Sequence, residues 1–287
     1  MTGDKIQTGR AALLRGLDFW RRSSAALPLI VAILFFAAGL MAQAAKNLTD
    51  AEIKGRELAR QLVGLYEQRP ATNYVQTCVL KIRPARNQTV EFSLRSTVSL
   101  TPTNWQQVCE TIRTNSDGFT DGNYLRIIHD DGWENEYLWN NHSYNGARIN
   151  PARSDSAEAH WSGTAWVHPF SGSDFWAVDL GLEFFHWPEQ KVLPNTTNLK
   201  RGRAYTLLES TNPNPSTNGY SRVLSWIDTE TGGILEAEAY DAQGKLLKEF
   251  EPKSFKKVNG QWELQEMEIR NVQTGSRTRL EFDLKKE

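Results

Sequence analysis

The last third of the chain constrains its fold more than any other part. From Arg203 to Leu284, short runs with alternating apolar residues are separated by turn-forming residues. Arg222–Asp228 is followed by Thr229-Glu-Thr-Gly-Gly233, and Ile234–Tyr240 by Asp241-Ala-Gln-Gly244. Lys245–Phe250 leads through Lys257-Val-Asn-Gly260 into Trp262–Ile269, and Asn271–Ser276 leads into Arg277–Leu284. Glycine and asparagine supply the positive φ that tight hairpins require. The intervals are too short for a crossover helix, which takes about a dozen residues. The pattern predicts an antiparallel meander and excludes a βαβ fold.

The same alternation runs through the middle of the chain. Strands are predicted at Tyr74–Arg83, Asn87–Leu100, Trp105–Ile112, Tyr124–His129, Glu134–Trp139 and Lys200–Ser210. The second is the clearest. Val90, Phe92, Leu94, Val98 and Leu100 alternate with Glu91, Ser93, Arg95, Thr97 and Ser99, so one face is buried and the other wet. Ahead of the strands, Thr49 and Glu52 form a capping box, and Leu48 with Ile53 a hydrophobic staple. Ile53, Leu58, Leu62, Leu65 and Tyr66 keep helical spacing up to Pro70, predicting a helix near 50–67. A lone amphipathic helix needs a surface, and the sheet provides it.

Two segments interrupt the strands. Residues 140–167 are rich in Asn, Ser, Ala and Gly and read as an irregular insert, lid or functional loop. Ser173 to Trp187 is predicted as a helix, with Ser173 as N-cap, Asp174 in the first turn and Pro188 closing it. Trp161, Trp166, Phe170, Phe175, Trp176, Phe184, Phe185 and Trp187 crowd into this region. Such aromatics are either ordinary core or the wall and lid of an apolar pocket, and both readings can hold together. Stacking on sugars is a third, weaker reading.

Catalytic patterns are missing from the sequence. The stretch Asp130-Asp-Gly-Trp-Glu-Asn-Glu136 lacks calcium-loop spacing and reads as a solvated hairpin. His129, His142, His160, His168 and His186 show no metal-ligand spacing. There is no nucleophile elbow, phosphate loop or dinucleotide fingerprint. No catalytic residue, metal or cofactor is expected, and the chain is not read as an enzyme.

The N-terminus looks like an export signal. Lys5, Arg10, Arg15, Arg21 and Arg22 precede an uncharged apolar run from Ala25 to Ala45, with a small-x-small site at Ala42-Gln-Ala44. Residues 1–44 are therefore expected to be a signal peptide. The alternative is an uncleaved signal anchor, since the run approaches the ~20 residues that span a bilayer. The whole chain carries 33 basic and 34 acidic residues. The balance excludes a nucleic-acid partner, which would want a strong basic excess. Export also permits a disulfide between Cys78 and Cys109; otherwise they are two small buried hydrophobes.

One resemblance covers much of the body. Trp226-Ile-Asp-Thr-Glu-Thr-Gly-Gly-Ile-Leu-Glu-Ala-Glu-Ala-Tyr-Asp241, Gly244-Lys-Leu-Leu-Lys-Glu-Phe250 and Gly260-Gln-Trp262 resemble the LolA-like outer-membrane lipoprotein-sorting proteins. Upstream, Phe170-Ser-Gly-Ser-Asp-Phe-Trp-Ala-Val-Asp-Leu180 is similar to the start of their covering helix. The likeness is good over 171–284 and looser over 48–139. It implies an α+β, mostly β fold: a large curved antiparallel sheet, an incomplete barrel of about eleven strands, with helices on its concave face. It implies residues 45–287 as one lipid- or lipoprotein-binding domain in the periplasm, or tethered at the inner membrane if the leader stays. The implied role is a carrier of acyl chains toward the outer membrane, with transfer partners in both membranes. The alternatives are a membrane-anchored lipid or lipoprotein sensor and, more remotely, an envelope hydrolase. The implied cavity and lid residues are Phe92, Leu94, Val98, Phe175, Trp176, Leu180, Phe184 and Trp226. Arg83 and Arg95 are the arginines nearest to the one that holds the lid in that family.

Overall fold

The computed structural model describes residues 48–86, 88–114, 120–130, 135–144, 159–161, 167–197, 199–258 and 261–284. The leader, most of the 140–167 insert and Asp131–Glu134 of the acidic hairpin lie outside the described residues. Thirteen described strands form one antiparallel sheet. They are β1 (Tyr74–Arg83), β2 (Val90–Leu100), β3 (Asn104–Thr114), β4 (Thr120–Asp130), β5 (Glu136–Tyr144) and β6 (Ala159–Trp161). Then follow β7 (Glu189–Leu193), β8 (Tyr205–Thr211), β9 (Tyr220–Asp228), β10 (Ile234–Asp241), β11 (Leu246–Val258), β12 (Gln261–Asn271) and β13 (Arg277–Phe282). The spatial order is β6-β5-β4-β3-β2-β1-β13-β12-β11-β10-β9-β8-β7. The two end strands do not pair, so the sheet is a curved half-barrel, as the sequence led us to expect. Strands β6 and β7 are additions to the predicted set. The first has three residues, and the second is too polar to stand out as an apolar run.

This order dictates what covers the sheet. The chain builds one half outward from the centre, β1 to β6. It then returns from the opposite edge, β7 to β13, and closes at the centre through β1–β13 pairing. The segment between β6 and β7 must therefore bridge from one edge to the other. Its described part, 167–188, does so over one face. Phe170, Phe175 and Ala177 pack with Leu80, Leu94, Leu125 and Leu280 of the central and first-half strands. Val178, Phe184, Phe185 and Trp187 pack with Leu208, Val223, Ile227 and Ala239 of the returning half.

The crossover is not the continuous helix predicted for 173–187. It consists of a 3-10 turn at Phe170–Gly172, a four-residue helix α2 at Ala177–Leu180 and a second 3-10 turn at Glu183–Phe185. Leu182 sits at φ 50°, a left-handed conformation that no helix interior accommodates. Ser173 does not cap α2; the carboxylate of Asp179 does, accepting from the Trp176 N–H at 2.8 Å. The physical reason is directional. A helix offers one stripe to a core, whereas here apolar side chains must reach two sheet halves and the helix at Asp50–Tyr66, so the backbone turns to aim each.

Helix α1 (Asp50–Tyr66) forms with its capping box intact. It buries Gly55, Ala59 and Leu62, while Ile53 remains 51% exposed and outside the packed face. Gly55 lies against the backbone of β7, where a Cβ would stand 2.5 Å from the Lys191 nitrogen. The helix thus covers the β7 edge, the kind of unpaired edge that proteins protect. Beneath it, Gln190 turns inward from β7. Its amide donates to the carbonyls of Phe184 and Trp187, each at 2.9 Å, and its Oε1 accepts from Ser210 at 2.7 Å. These bonds satisfy carbonyls that the short helical turns of the crossover leave open.

Candidate functional site

Register fixes which side chains face the crossover. Cys78, Leu94, Leu280 and Phe282 share one face of the central strands, as do Phe250, Met267 and Ile269 of β11 and β12. In the middle of β10 the same face carries the small residues Ala237 and Ala239, paired beside Ser225 and Val223 of β9. Two alanines among larger neighbours leave space. The result is a cavity of about 400 Å³ between sheet and crossover, within the ~300–1,000 Å³ typical of ligand sites. Phe175, Leu180, Leu182 and Phe184 line it from the crossover, Tyr66 from the end of α1 and Ile234 from the start of β10. Phe255 and Leu264, opposed across β11 and β12, continue the lining outward, and Phe255 is 55% exposed.

Four of the eight sequence-predicted site residues meet here: Leu94, Phe175, Leu180 and Phe184. Four do not. Phe92 is on the same face as Leu94 but packs into the central core. Val98 is buried farther along β2, opposite Tyr74 and Gln107. Trp176 is stacked on Tyr220 with centroids 4.8 Å apart and is outside the cavity lining. Trp226 is on the opposite, convex face, because Ser225 and Ile227 take the inward positions of β9; its ring carries the Lys200 ammonium at 4.2 Å.

Sequence reasoning passed over the polar end of this cavity. Lys248 of β11 points inward and is 1% exposed. Its Nζ donates to the Asp174 carbonyl at 2.6 Å and to Asp179 Oδ2 at 3.2 Å, and lies 3.4 Å from the centroid of the Trp176 ring. The Tyr220 hydroxyl also donates to Asp179, at 2.8 Å and 3.0 Å to its two oxygens. Burial lowers the Lys248 ammonium to about 8 despite the two aspartates that support its charge. Asp174 is tied to β13 as well, accepting from Thr278 at 2.9 Å and Ser276 at 2.6 Å. One buried network therefore clamps the crossover to the sheet. Neither arginine named from the resemblance takes this part: Arg83 and Arg95 are both exposed. A second polar strip, Gln76, Ser96 and Gln107, lines the wall of β1 to β3, with Gln107 donating to Ser96 at 2.9 Å. Cys78 and Cys109 also line the cavity as free thiols. Strand β2 separates them, Cys78 opposing Leu94 and Cys109 opposing Ser96, so they do not form the disulfide the sequence permitted.

The other end of the crossover is held by Glu67, just after α1. Its Oε1 pairs with His186 Nε2 at 2.7 Å and accepts from Asn135 at 2.9 Å, and its Oε2 is 3.7 Å from His129 Nδ1. Burial alone would raise this carboxyl, but the two imidazoles and the amide more than offset it and hold it at about 2. Among the described residues, no group of three or more His, Cys, Asp or Glu side chains is arranged to hold a metal ion. No described helix is long and apolar enough to cross a membrane.

The comparisons with known proteins agree with this architecture. A family model described only as "Uncharacterized protein" matches residues 159–285, from β6 to the end of β13. No curated protein matches. Among solved structures, a domain assigned to the outer membrane lipoprotein-sorting proteins, from Vibrio parahaemolyticus, aligns with a TM-score of 0.60 at 19% identity, covering 81% of this chain and 92% of that one. A DUF1329 family protein from Desulfovibrio piger gives 0.61 at 17%, covering 82% and 92%. A LolA superfamily protein from Nitrosomonas europaea gives 0.52 at 13%, covering 80% and 91%. At these identities the likeness is one of fold. The chain has the fold of the LolA superfamily.

Proposed function

We propose that this protein is a periplasmic carrier that binds the acyl chains of lipoproteins or lipids in the cavity and passes them toward the outer membrane. The observation that carries this reading is the cavity itself: apolar walls from the sheet and crossover, open space over Ala237 and Ala239 of β10, and an apolar path outward past Leu264 and Phe255. The mechanism is burial. Each methylene moved out of water contributes about 0.8 kcal/mol, so a long chain is held without any covalent step. The Lys248–Asp179 clamp and the Glu67–His186 pair keep the crossover down over the cargo, and release requires one of them to yield. No catalytic residue, metal or cofactor enters this mechanism. The partners in the proposal are acyl lipids or lipoproteins and the membrane components that deliver and accept them.

A second reading, a sensor of lipids or lipoproteins tethered at the inner membrane, is favoured by the apolar run Ala25–Ala45. Cell fractionation separates the two, since a carrier must be recovered free of that membrane. The test of both is native mass spectrometry of the full-length protein purified from the cell envelope, with lipid extraction of the same sample. Acyl lipid or lipopeptide released on denaturation is the expected result. A protein that arrives empty and takes up no added lysophospholipid would sink the binding role.

A further inference from the structure

On the convex face, away from the cavity, three arginines stand in one cross-strand row. Arg83 of β1 is directly opposite Arg277 of β13, which is directly opposite Arg270 of β12. Residues paired this way have Cβ atoms about 5 Å apart, and like charges so placed repel. The neighbouring positions show how the rest of this face resolves its charge. Lys81 pairs with Glu281 at 2.9 Å, and Arg279 with Glu266 at 2.7 Å and Glu268 at 3.0 Å. Lys253 pairs with Glu251 at 2.6 Å and Glu268 at 3.3 Å. In the arginine row only Arg270 has a carboxylate, Glu249 at 3.4 Å. Among the described residues, Arg83 and Arg277 make no ion pair or side-chain hydrogen bond.

These arginines also line a depression of about 420 Å³. Pro84 and Ala85 after β1 and Gly275 before β13 form its rim, and Glu268 is the one carboxylate in its wall. That carboxylate is already committed to Arg279 and Lys253. A concave surface with two unmatched guanidinium groups and a third beside them has the chemistry of an oxyanion site, because guanidinium forks bind phosphate bidentately. We propose that Arg83, Arg277 and Arg270 form a binding site for a phosphate-bearing ligand, on the face opposite the acyl cavity. The shared chemistry is a phosphate mono- or diester. It can come from a soluble phosphate or from a phospholipid headgroup at a membrane surface. The proposal is independent of the carrier reading.

The test uses the full-length protein and two variants, Arg277→Gln and Arg83→Gln. In chloride at low ionic strength, Arg277→Gln should melt at the same temperature as the wild type or higher, since it removes repulsion. Inorganic phosphate should then raise the melting temperature of the wild type and much less that of either variant. Titration calorimetry with phosphate should show affinity weakened about ten-fold or more by Arg277→Gln, the loss expected for one charge-assisted contact. Co-sedimentation with phosphatidic acid vesicles, against phosphatidylcholine vesicles, distinguishes the source. Vesicle binding lost in Arg277→Gln with weak response to free phosphate identifies a headgroup. A response to free phosphate without vesicle binding identifies a soluble ligand. Equal effects of phosphate on wild type and both variants, together with equal vesicle binding, would overturn the site.

Discussion

At the scale of single residues, two buried charges decide how the crossover is held. Lys248 reaches the concave face from a strand whose local sequence, Leu-Leu-Lys-Glu-Phe, gives no hint of it. Its partner Asp179 is 69 residues away, beyond any spacing rule. Removing one member of a buried pair leaves the other uncompensated. Lys248→Met should therefore cost about 3 kcal/mol in urea denaturation, and the double variant Lys248→Met/Asp179→Asn should recover much of it. Additive losses in that cycle would mean that the two residues do not act as a pair. Glu67 gives a pH prediction. Its folded pKa of about 2 lies below its ordinary 4.5, so its stabilisation is complete above pH 4.5 and is lost as pH falls toward 2. Allowing for water at its rim, that contribution is about 2 kcal/mol. Glu67→Gln should lower stability by about this much at pH 7 and flatten the acid side of the stability profile; a wild-type curve and a variant curve that stay parallel from pH 5 to 2 would contradict it.

At the scale of elements, close approach and open space can be told apart within one helix. Gly55→Ala places a Cβ 2.5 Å from backbone of β7, whereas Gly64 has nothing within 4 Å of its Cβ position. Thermal melts should show Gly55→Ala destabilised by about 1–3 kcal/mol through overpacking. Gly64→Ala should gain up to about 1 kcal/mol from helix propensity. The elements themselves differ in how far sequence reveals them. The meander from β9 to β13 and the alternation in β2 were legible because each strand carries its own period and its own turns. Capping of α1 was legible for the same local reason. The crossover was not: its aromatics serve two sheet halves at once, and a list of apolar residues on every side is ambiguous between a buried helix and an irregular strap. Half of the predicted cavity residues were misplaced for related reasons. Trp226 looks like a wall residue until register puts Ser225 and Ile227 inside, and Phe92 and Val98 lie on the right face but beyond the open space. Nothing marked Gln190 or Lys248 as inward-facing, since their partners come from distant chain.

At the scale of the whole molecule, two thiols report on the cavity. Burial pushes both Cys78 and Cys109 up to about 12, so in the closed protein they react slowly with soluble disulfides. Labelling of the native protein should be much slower than that of the unfolded chain, faster in Lys248→Met, and slower again when an acyl ligand occupies the space. If ligand leaves the labelling rate unchanged, the acyl chain binds elsewhere.

The crossover is also a strap fastened at both ends, running from one margin of an open sheet to the other. A door on one hinge can swing clear, but a strap can only bow or tighten. In the proposed carrier, spreading the half-barrel to admit a larger guest would draw its two margins apart and pull the strap taut, so the length of chain between them would set an upper limit on what could be held. Lengthening that span by a few residues would be expected to enlarge the guest before it loosened the grip.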